Sequence, residues 1–454
     1  MAAKQFDVTG RRVTVVGAAR SGIAAARLLA DRGAIVTLSD TRSGIPEAEP
    51  LRQLGIGLEM GGHLTETFTS ADLIVLSPGV PPEQTAVSAA RDLGVPIVGE
   101  LELASWWLRG RVIAITGTKG KSTTTALTGK MLEAAGHKVA VGGNIGSPLS
   151  AQVAGSTPDM LHVVEASSFQ LELIDTFHPW IAVMLNFSPD HLDRRPSLEA
   201  YRRAKARIFR NQVETDWAVI NADDPIVLEL ARQGRAAMRS FARRTALDEG
   251  IVVDNDWIIE RRKDATQPLV PLAAVHLIGS HLLSDVMAAA AVGSIAGATS
   301  SAITSAVDGF HGLEHAMEFV AEIEDVRFIN DSKATNIESA LRAIESFERG
   351  LVVILGGRFK GGDFGRLREP LRLRAKAVIA IGESRRLIRE ALADAVEVRD
   401  AESLEGAVDS AFRLAKPSGT VLLAPACASF DMFQDYAQRG KRFKEEVARI
   451  SRER

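Results

Sequence analysis

Short apolar runs that stop in glycine or an acid, each followed by a helical pattern, recur along this chain and restrict its possible folds. In "RRVTVVGAARSG" the stretch Val13 to Val16 enters a glycine turn, and the helical "IAAARLLADRG" follows. "AIVTLSD" ends at Asp40, and "ADLIVLSPGV" is stopped by Ser77, Pro78 and Gly79. A second series begins near Gly99 with "VIAIT", the helical "TTALTGKMLEAAG" closed by Gly136, and then "LHVVEASS" and "WIAVMLNFSPDH". A third begins near Gly312 with "VRFINDSKATN", "LVVILGGRFKGGD", "AVIAIG" and "TVLLAPACASFD". Strands alternating with helices at this spacing predict parallel, doubly wound sheets, whose ligands sit beyond the carboxyl ends of the strands. The segment 236–272, with pieces such as "IVVDNDWIIE", reads as a β excursion from the second series.

Composition narrows the function. The 454 residues suffice for two or three domains, and 46% hydrophobic with 24% charged residues is ordinary for a globular enzyme. A net charge of −3 with both signs interspersed argues against a general nucleic-acid binder. The single cysteine, Cys427, allows neither an intrachain disulfide nor a zinc cluster. No apolar signal core or membrane-length apolar run is present, so a cytoplasmic protein without a membrane span is expected.

The segment "AITGTKGKSTTTAL" resembles a phosphate-binding loop shortened by two residues. A strand feeding a glycine turn and a helix N-terminus leaves backbone N–H groups that attract phosphate. Lys121 adds a charge near the β/γ-phosphates and Ser122 a hydroxyl for Mg²⁺; the alternative is a plain strand–helix turn with an exposed lysine. Glu165 ends the strand "LHVVE" at the same sheet edge, and Asp190 and His191 follow the next strand. In "EAYRRAKARIFR", at helical spacing, Arg202, Arg203, Arg207 and Arg210 share one face. Lys205 falls instead on the apolar side near Tyr201 and Phe209, where it must snorkel, find a partner or be chemically altered. In the first series, Gly17 and Gly22 lack the middle glycine of the dinucleotide fingerprint, since Ala19 stands there, so dinucleotide binding is disfavoured while Asp40 still suits a ribose or base contact.

Together "GTKGKSTTT", "GGNIG", "EASSFQLE", "DHLD", "YRRAK", "NDSKATN", "LGGRFKGGDF" and "PACASFDMFQDYAQRG" resemble the Mur ligase family from about Val13 to Phe443. The resemblance implies a three-domain α/β chain. Residues 1–99 form a Rossmann-like UDP-binding domain, 100–311 a central P-loop ATPase-like parallel-sheet domain, and 312–454 a Rossmann-like glutamate-binding domain. It implies ATP-dependent joining of glutamate, D-glutamate by expectation, to UDP-N-acetylmuramoyl-L-alanine through an acyl phosphate, by a monomer. The third domain is expected to close for reaction. Gly117, Thr118, Lys119, Gly120, Lys121, Ser122, Thr123 and Thr124 would hold the ATP phosphates and Asp331 the ribose. Ser122 and Glu165 would bind one Mg²⁺, and His191 a second with Lys205 in carbamylated form. Ser21, Asp40, Thr41, Arg42, Ser77 and Gly79 would cradle UDP, with Asn144, Ser167 and Gln170 at the muramoyl-alanine part. Lys333, Thr335, Lys360, Ser429 and Tyr436 would receive glutamate.

The chain departs from the family pattern at Leu282 and Asp285, where asparagines are usual, and at Tyr436 in place of phenylalanine. It also has Ala316 where an arginine faces the γ-phosphate, with Arg358 as a candidate stand-in. An L-glutamate-adding variant, another Mur-type or folylpolyglutamate-type ligase and a non-catalytic nucleotide-binding relative are the alternatives.

Overall fold

A computed structural model describes residues 7–188, 197–277 and 282–453. It has two compact units: residues 1–275 with 284–307, and residues 276–283 with 308–454. The first unit holds two sheets and the second holds one, so the three strand series each build a sheet of their own.

The first sheet contains β1 (Arg12–Val16), β2 (Ile35–Asp40), β3 (Gly57–Met60), β4 (Leu73–Leu76) and β5 (Ile97–Gly99), in the order β3-β2-β1-β4-β5. All neighbours are parallel. Covered by helices on both faces, β1 and β4 are buried along nearly their whole length, which is why they read as unbroken apolar runs. The chain reverses its direction of winding between β1 and β4, and that crevice is where such sheets take ligands.

The second sheet runs β14-β13-β12-β11-β10-β9-β6-β8-β7. Its parallel part is β6 (Arg111–Thr116), β7 (Lys138–Gly143), β8 (Met160–Glu165), β9 (Ile181–Met184), β10 (Trp217–Asn221), β11 (Ala237–Ala242) and β12 (Gly250–Asp254). The excursion expected over 236–272 is shorter than that: β11 and β12 continue the parallel sheet, and only β13 (Trp257–Arg262) and β14 (Ala265–Pro271) form an antiparallel extension. The central strand β6 lies between β8 and β9, so the loop leaving β6 meets the end of β8 at one rim.

The third sheet contains β15 (Glu318–Ile323), β16 (Val326–Asn330), β17 (Leu351–Gly356), β18 (Ala375–Ile381), β19 (Glu397–Asp400) and β20 (Gly419–Leu423), ordered β15-β16-β20-β17-β18-β19. Only β15 is antiparallel. Apolar clusters fill both of its faces, one around Val353 and Leu422 and one around Val352 and Val421, as alternation along β17 and β20 requires.

The shared arginine face is corrected by the structure. The helix Leu198–Ala206 passes into a 3-10 turn at Arg207–Phe209, which breaks the helical spacing. Arg207 turns inward and donates to the carbonyls of Leu171 (3.0 Å) and Ile174. Among the described residues, no helix is long and apolar enough to cross a membrane.

Candidate active site

The loop after β6 is built as its sequence requires. Gly117 and Gly120 have φ of 154° and 80°, conformations that glycine tolerates and other residues rarely adopt. Gly120 then caps the helix Lys121–Ala134, whose free N-terminal N–H groups create a positive end. Lys121 curls back and donates to the carbonyls of Gly117 and Thr118, both at 3.0 Å. The loop is braced by Asn186, whose Oδ1 accepts the N–H groups of Thr118 (3.1 Å) and Lys119 (2.9 Å). Asn186 was not singled out from the sequence, though its position just past β9 puts a polar side chain on the same rim.

Glu165 is 2% exposed at the end of β8. Its Oε2 accepts from Ser122 Oγ and its Oε1 from Asn144 Nδ2, both at 2.7 Å. Hard oxygens at that spacing match adjacent corners of an octahedral Mg²⁺ shell, so Ser122 and Glu165 fit the metal expected of them. Among the described residues no three His, Cys, Asp or Glu side chains form a metal cluster by themselves. Asp190 and His191 lie outside the described residues.

Lys205 is 1% exposed, so snorkelling is excluded. Its ammonium donates to the carbonyl of Gly117 at 2.7 Å and lies 4.9 Å from the centre of the Tyr201 ring. Thr123 is half-buried, while Thr124 is fully buried in the first turn of the same helix as Lys121.

A cavity of about 410 Å³ opens at the crevice of the first sheet. Ser21, Asp40, Arg42, Ser77, Gly79, Asn144 and Gln170 line it; Thr41 is exposed beside Asp40. Arg42 grips both oxygens of Asp40 at 3.0 Å, and this pairing, aided by the N–H of Ala18 at 2.6 Å, holds the carboxyl far below the usual range. Ser77 Oγ donates to the carbonyl of Gly17 at 2.8 Å, and a Cβ on Gly22 would come within 1.8 Å of that carbonyl oxygen. Gly22 is therefore required by a close backbone approach.

Ser167 and Gln170 form a reciprocal capping box at the helix Ser168–Glu172. The oxygen of Gln170 serves that cap, leaving its buried Nε2 without a partner among the described residues, in a side chain that lines the cavity. An unpaired buried donor of this kind is costly unless a ligand meets it.

In the second unit, Asp331, Lys333 and Thr335 follow β16, Lys360 follows β17 and Ser429 follows β20, so the parallel strands deliver them to one rim. Lys360 Nζ lies 3.4 Å from Thr335 Oγ1; Lys333 and Lys360 are exposed, while Ser429 is buried. Burial pushes Asp331 up to about 7, although the N–H of Met317 and the charge of Lys333 partly oppose the shift. Tyr436, 40% exposed, begins the helix Tyr436–Arg452 and meets the His315 ring edge-on. Arg358 is held by Glu383 at 3.0 and 3.2 Å.

Arg439 was missed by sequence reasoning. It is fully buried and spans two rim segments, donating to Ser332 Oγ (2.9 Å), the Ser332 carbonyl (2.9 Å) and the Cys427 carbonyl (3.2 Å). It lies in the same quoted run as Tyr436, but a buried cation served by carbonyls has no periodic sequence signature.

Comparison with known proteins matches three family descriptions in chain order. Residues 11–99 match the Mur ligase MurD-like N-terminal domain, 115–293 the Mur ligase middle domain, and 316–427 the Mur ligase glutamate ligase domain. The UDP-N-acetylmuramoylalanine–D-glutamate ligase of Koribacter versatilis is 44% identical, covering 98% of this chain and 99% of the relative. That of Acidobacterium capsulatum is 45% identical over 97% of each. Among solved structures, the UDP-N-acetylmuramate-alanine ligase of Thermotoga maritima aligns with a TM-score of 0.58 at 21% identity, over 98% of this chain and 100% of that one. The pseudomurein peptide ligase type C of Methanothermus fervidus aligns with 0.57 at 19%, over 97% and 100%. The two structures support the fold; the long, closely similar relatives establish more, and the chain belongs to the Mur ligase family.

Proposed function

We propose that this chain is an ATP-dependent ligase that joins D-glutamate to UDP-N-acetylmuramoyl-L-alanine, a step of peptidoglycan precursor synthesis. The activity is the one named for relatives 42–45% identical over nearly the whole chain. One observation carries the reading. Asn144 lines the cavity beside Asp40 and Ser77, and the same side chain donates to Glu165, the acid bonded to Ser122 of the phosphate loop. The cavity assigned to the nucleotide sugar and the loop assigned to the phosphates are thus linked through one residue.

The chemistry needs ATP because a carboxylate is a poor electrophile. Its oxygen attacks the γ-phosphorus, ADP leaves and an acyl phosphate forms. The free amine of glutamate then attacks the acyl carbon, and phosphate departs with the electron pair of the C–O bond while the amine loses a proton. Lys121, the loop N–H groups and the helix N-terminus hold the phosphates against mutual repulsion. Ser122 and Glu165 would hold Mg²⁺, which neutralises developing charge on the phosphate oxygens. A second metal is assigned to His191 and Lys205. For Lys205 that role requires carbamylation: the neutral amine bonds to carbon dioxide, a proton leaves, and an anionic oxygen ligand replaces the cation.

The cavity residues Ser21, Asp40, Thr41, Arg42, Ser77 and Gly79 are assigned to UDP, and Gln170 Nε2 with Ser167 and Asn144 to the muramoyl-alanine part. Asp331 is assigned to the ATP ribose. Lys333, Thr335, Lys360, Ser429 and Tyr436 are assigned to glutamate, one lysine for each carboxylate. We take the domain limits as 1–99, 100–311 and 312–454, the working form as a monomer, and the cytoplasm as the site of this ATP-consuming step.

The test is ADP release with purified protein, UDP-N-acetylmuramoyl-L-alanine and each enantiomer of glutamate. Release that requires both substrates and favours the D-enantiomer is expected. Release independent of glutamate, or none with any combination, would overturn the assignment.

A further inference from the structure

A buried acid faces the back of the phosphate loop. Asp285, in the first turn of the helix Leu282–Ile295, is 3% exposed, and its Oδ2 has no hydrogen-bond partner among the described residues. The carboxyl lies so close to Gly120 that a Cβ there would come within 2.1 Å of Oδ1 and 2.7 Å of Oδ2. It therefore sits beside the loop's left-handed glycine, at the positive end of the helix Lys121–Ala134.

Among the described residues, the charges around it are few: Lys121 is the charged group acting on the carboxyl, and Thr124 is the neighbouring hydroxyl. Lys119, on the loop itself, is exposed, and Glu165 on the next strand is held by Ser122 and Asn144. No other charged residue occurs on the helix Leu282–Ile295; Glu260 and Arg262 of β13 meet that helix at Ser294, near its far end. The helix termini and Lys121 favour the carboxylate, but each is also needed by a bound phosphate. Desolvation wins in the free protein and lifts Asp285 to about 7. A triphosphate in the loop would take over Lys121 and add like charge, which disfavours the carboxylate further.

We infer that nucleotide binding at Gly117–Thr124 is coupled to protonation of Asp285, so that the loop accepts a nucleotide only when this buried carboxyl is neutral. The inference rests on the reading of that segment as the nucleotide loop. It makes Asp285 a positioning residue of the loop, because its neutral form leaves Lys121 and the N–H groups to the phosphates.

Isothermal titration of Mg–ADP into the full chain and into Asp285→Asn, between pH 7 and 9, tests this. The wild-type affinity is expected to fall by up to about 50-fold from pH 7 to pH 9, the loss in neutral fraction for a carboxyl near 7. Asp285→Asn, isosteric and always neutral, is expected to keep its affinity across that range. Above pH 8 the diphosphate is already ionised, so titrations in two buffers of different ionisation heat should read an uptake of about 0.9 proton at pH 8. This wild-type measurement stands even if the variant does not fold, and Asp331→Asn run in parallel removes the other carboxyl raised to the same range. Equal pH profiles in wild type and Asp285→Asn, no uptake in the wild type at pH 8, or no uptake in Asp331→Asn at Mg–ADP concentrations that saturate it, would overturn the coupling. Absence of binding by every protein at every pH would overturn the loop reading itself.

Discussion

Lys205 and Gly117 are joined by a 2.7 Å hydrogen bond from a buried ammonium to a loop carbonyl 88 residues away in sequence. The bond ties the helix Leu198–Ala206 to the first glycine of the phosphate loop. Lys205→Met keeps the apolar stem and removes the donor, leaving the carbonyl underpaired. We expect a loss of about 1–3 kcal/mol in urea unfolding and turnover below one-hundredth of wild type. Lys205→Ala should regain part of its activity with acetate or propionate if an anionic oxygen is the functional group. No response to such acids, with no effect of bicarbonate on the wild type, would remove the carbamate from the mechanism.

Lys121 spends its ammonium on the carbonyls of Gly117 and Thr118, so it braces the loop as well as charging it. Lys121→Ala should abolish ADP release while leaving the far-ultraviolet circular dichroism unchanged. Lys121→Arg should fold yet remain at least about tenfold impaired, because a planar fork cannot place a compact charge in the same turn. Full activity in the alanine variant would refute the loop assignment.

The rims of this molecule were legible because each is written locally: a strand closes on Asp40 or Glu165, or runs directly into Gly117. The short strands β3 and β5 were not, since "GLEM" and "IVG" are too brief for a periodic pattern and pair only because longer neighbours present a free edge. The odd position of Lys205 was legible as a misfit on an apolar stripe, but its partner was not, because nothing local connects residue 205 to residue 117. Arg207 misled because helical spacing was extended past Ala206, where the helix tightens. The substitution at Asp285 was visible, whereas its burial against Gly120 depends on how a distant helix packs.

Glu165→Gln keeps the shape that meets Ser122 and Asn144 but removes the charge. An Mg²⁺ ion bound there should lose about 10- to 100-fold in affinity, read as a rightward shift of the magnesium dependence of ADP release. The maximal rate at saturating magnesium should fall less than the apparent affinity. An unchanged magnesium curve would show that the ion lies elsewhere.

Asp40 carries a pH signature of the opposite kind to the buried acids. Its carboxyl is depressed mainly by Arg42, so the native state gains stability wherever the unfolded carboxyl is ionised, and loses it as pH falls below about 4. Arg42 is half exposed, which screens the pair, so Asp40→Asn should cost only about 1 kcal/mol at pH 7. That difference should shrink as pH falls below 4. The same variant should weaken UDP binding to the full chain, measured by calorimetry, if the cavity is the nucleotide-sugar site.

Asp331 should behave in reverse. Burial raises its carboxyl to about 7, so the folded state holds a proton that the unfolded chain releases near 3.9. The stability associated with that proton is complete below pH 4, declines as pH rises toward 7, and is gone above it. Asp331→Asn retains an oxygen for the N–H of Met317 and carries no charge to bury. It should match wild type in stability near pH 4 and exceed it by ~1–3 kcal/mol at pH 8. If Asp331 also receives the ribose of ATP, the more stable variant will bind ATP less tightly, so stability and affinity move in opposite directions. Urea midpoints at the two pH values, set beside ATP titrations of the same samples, separate the roles. A variant equally stable at both pH values would show that Asp331 is not held neutral by burial.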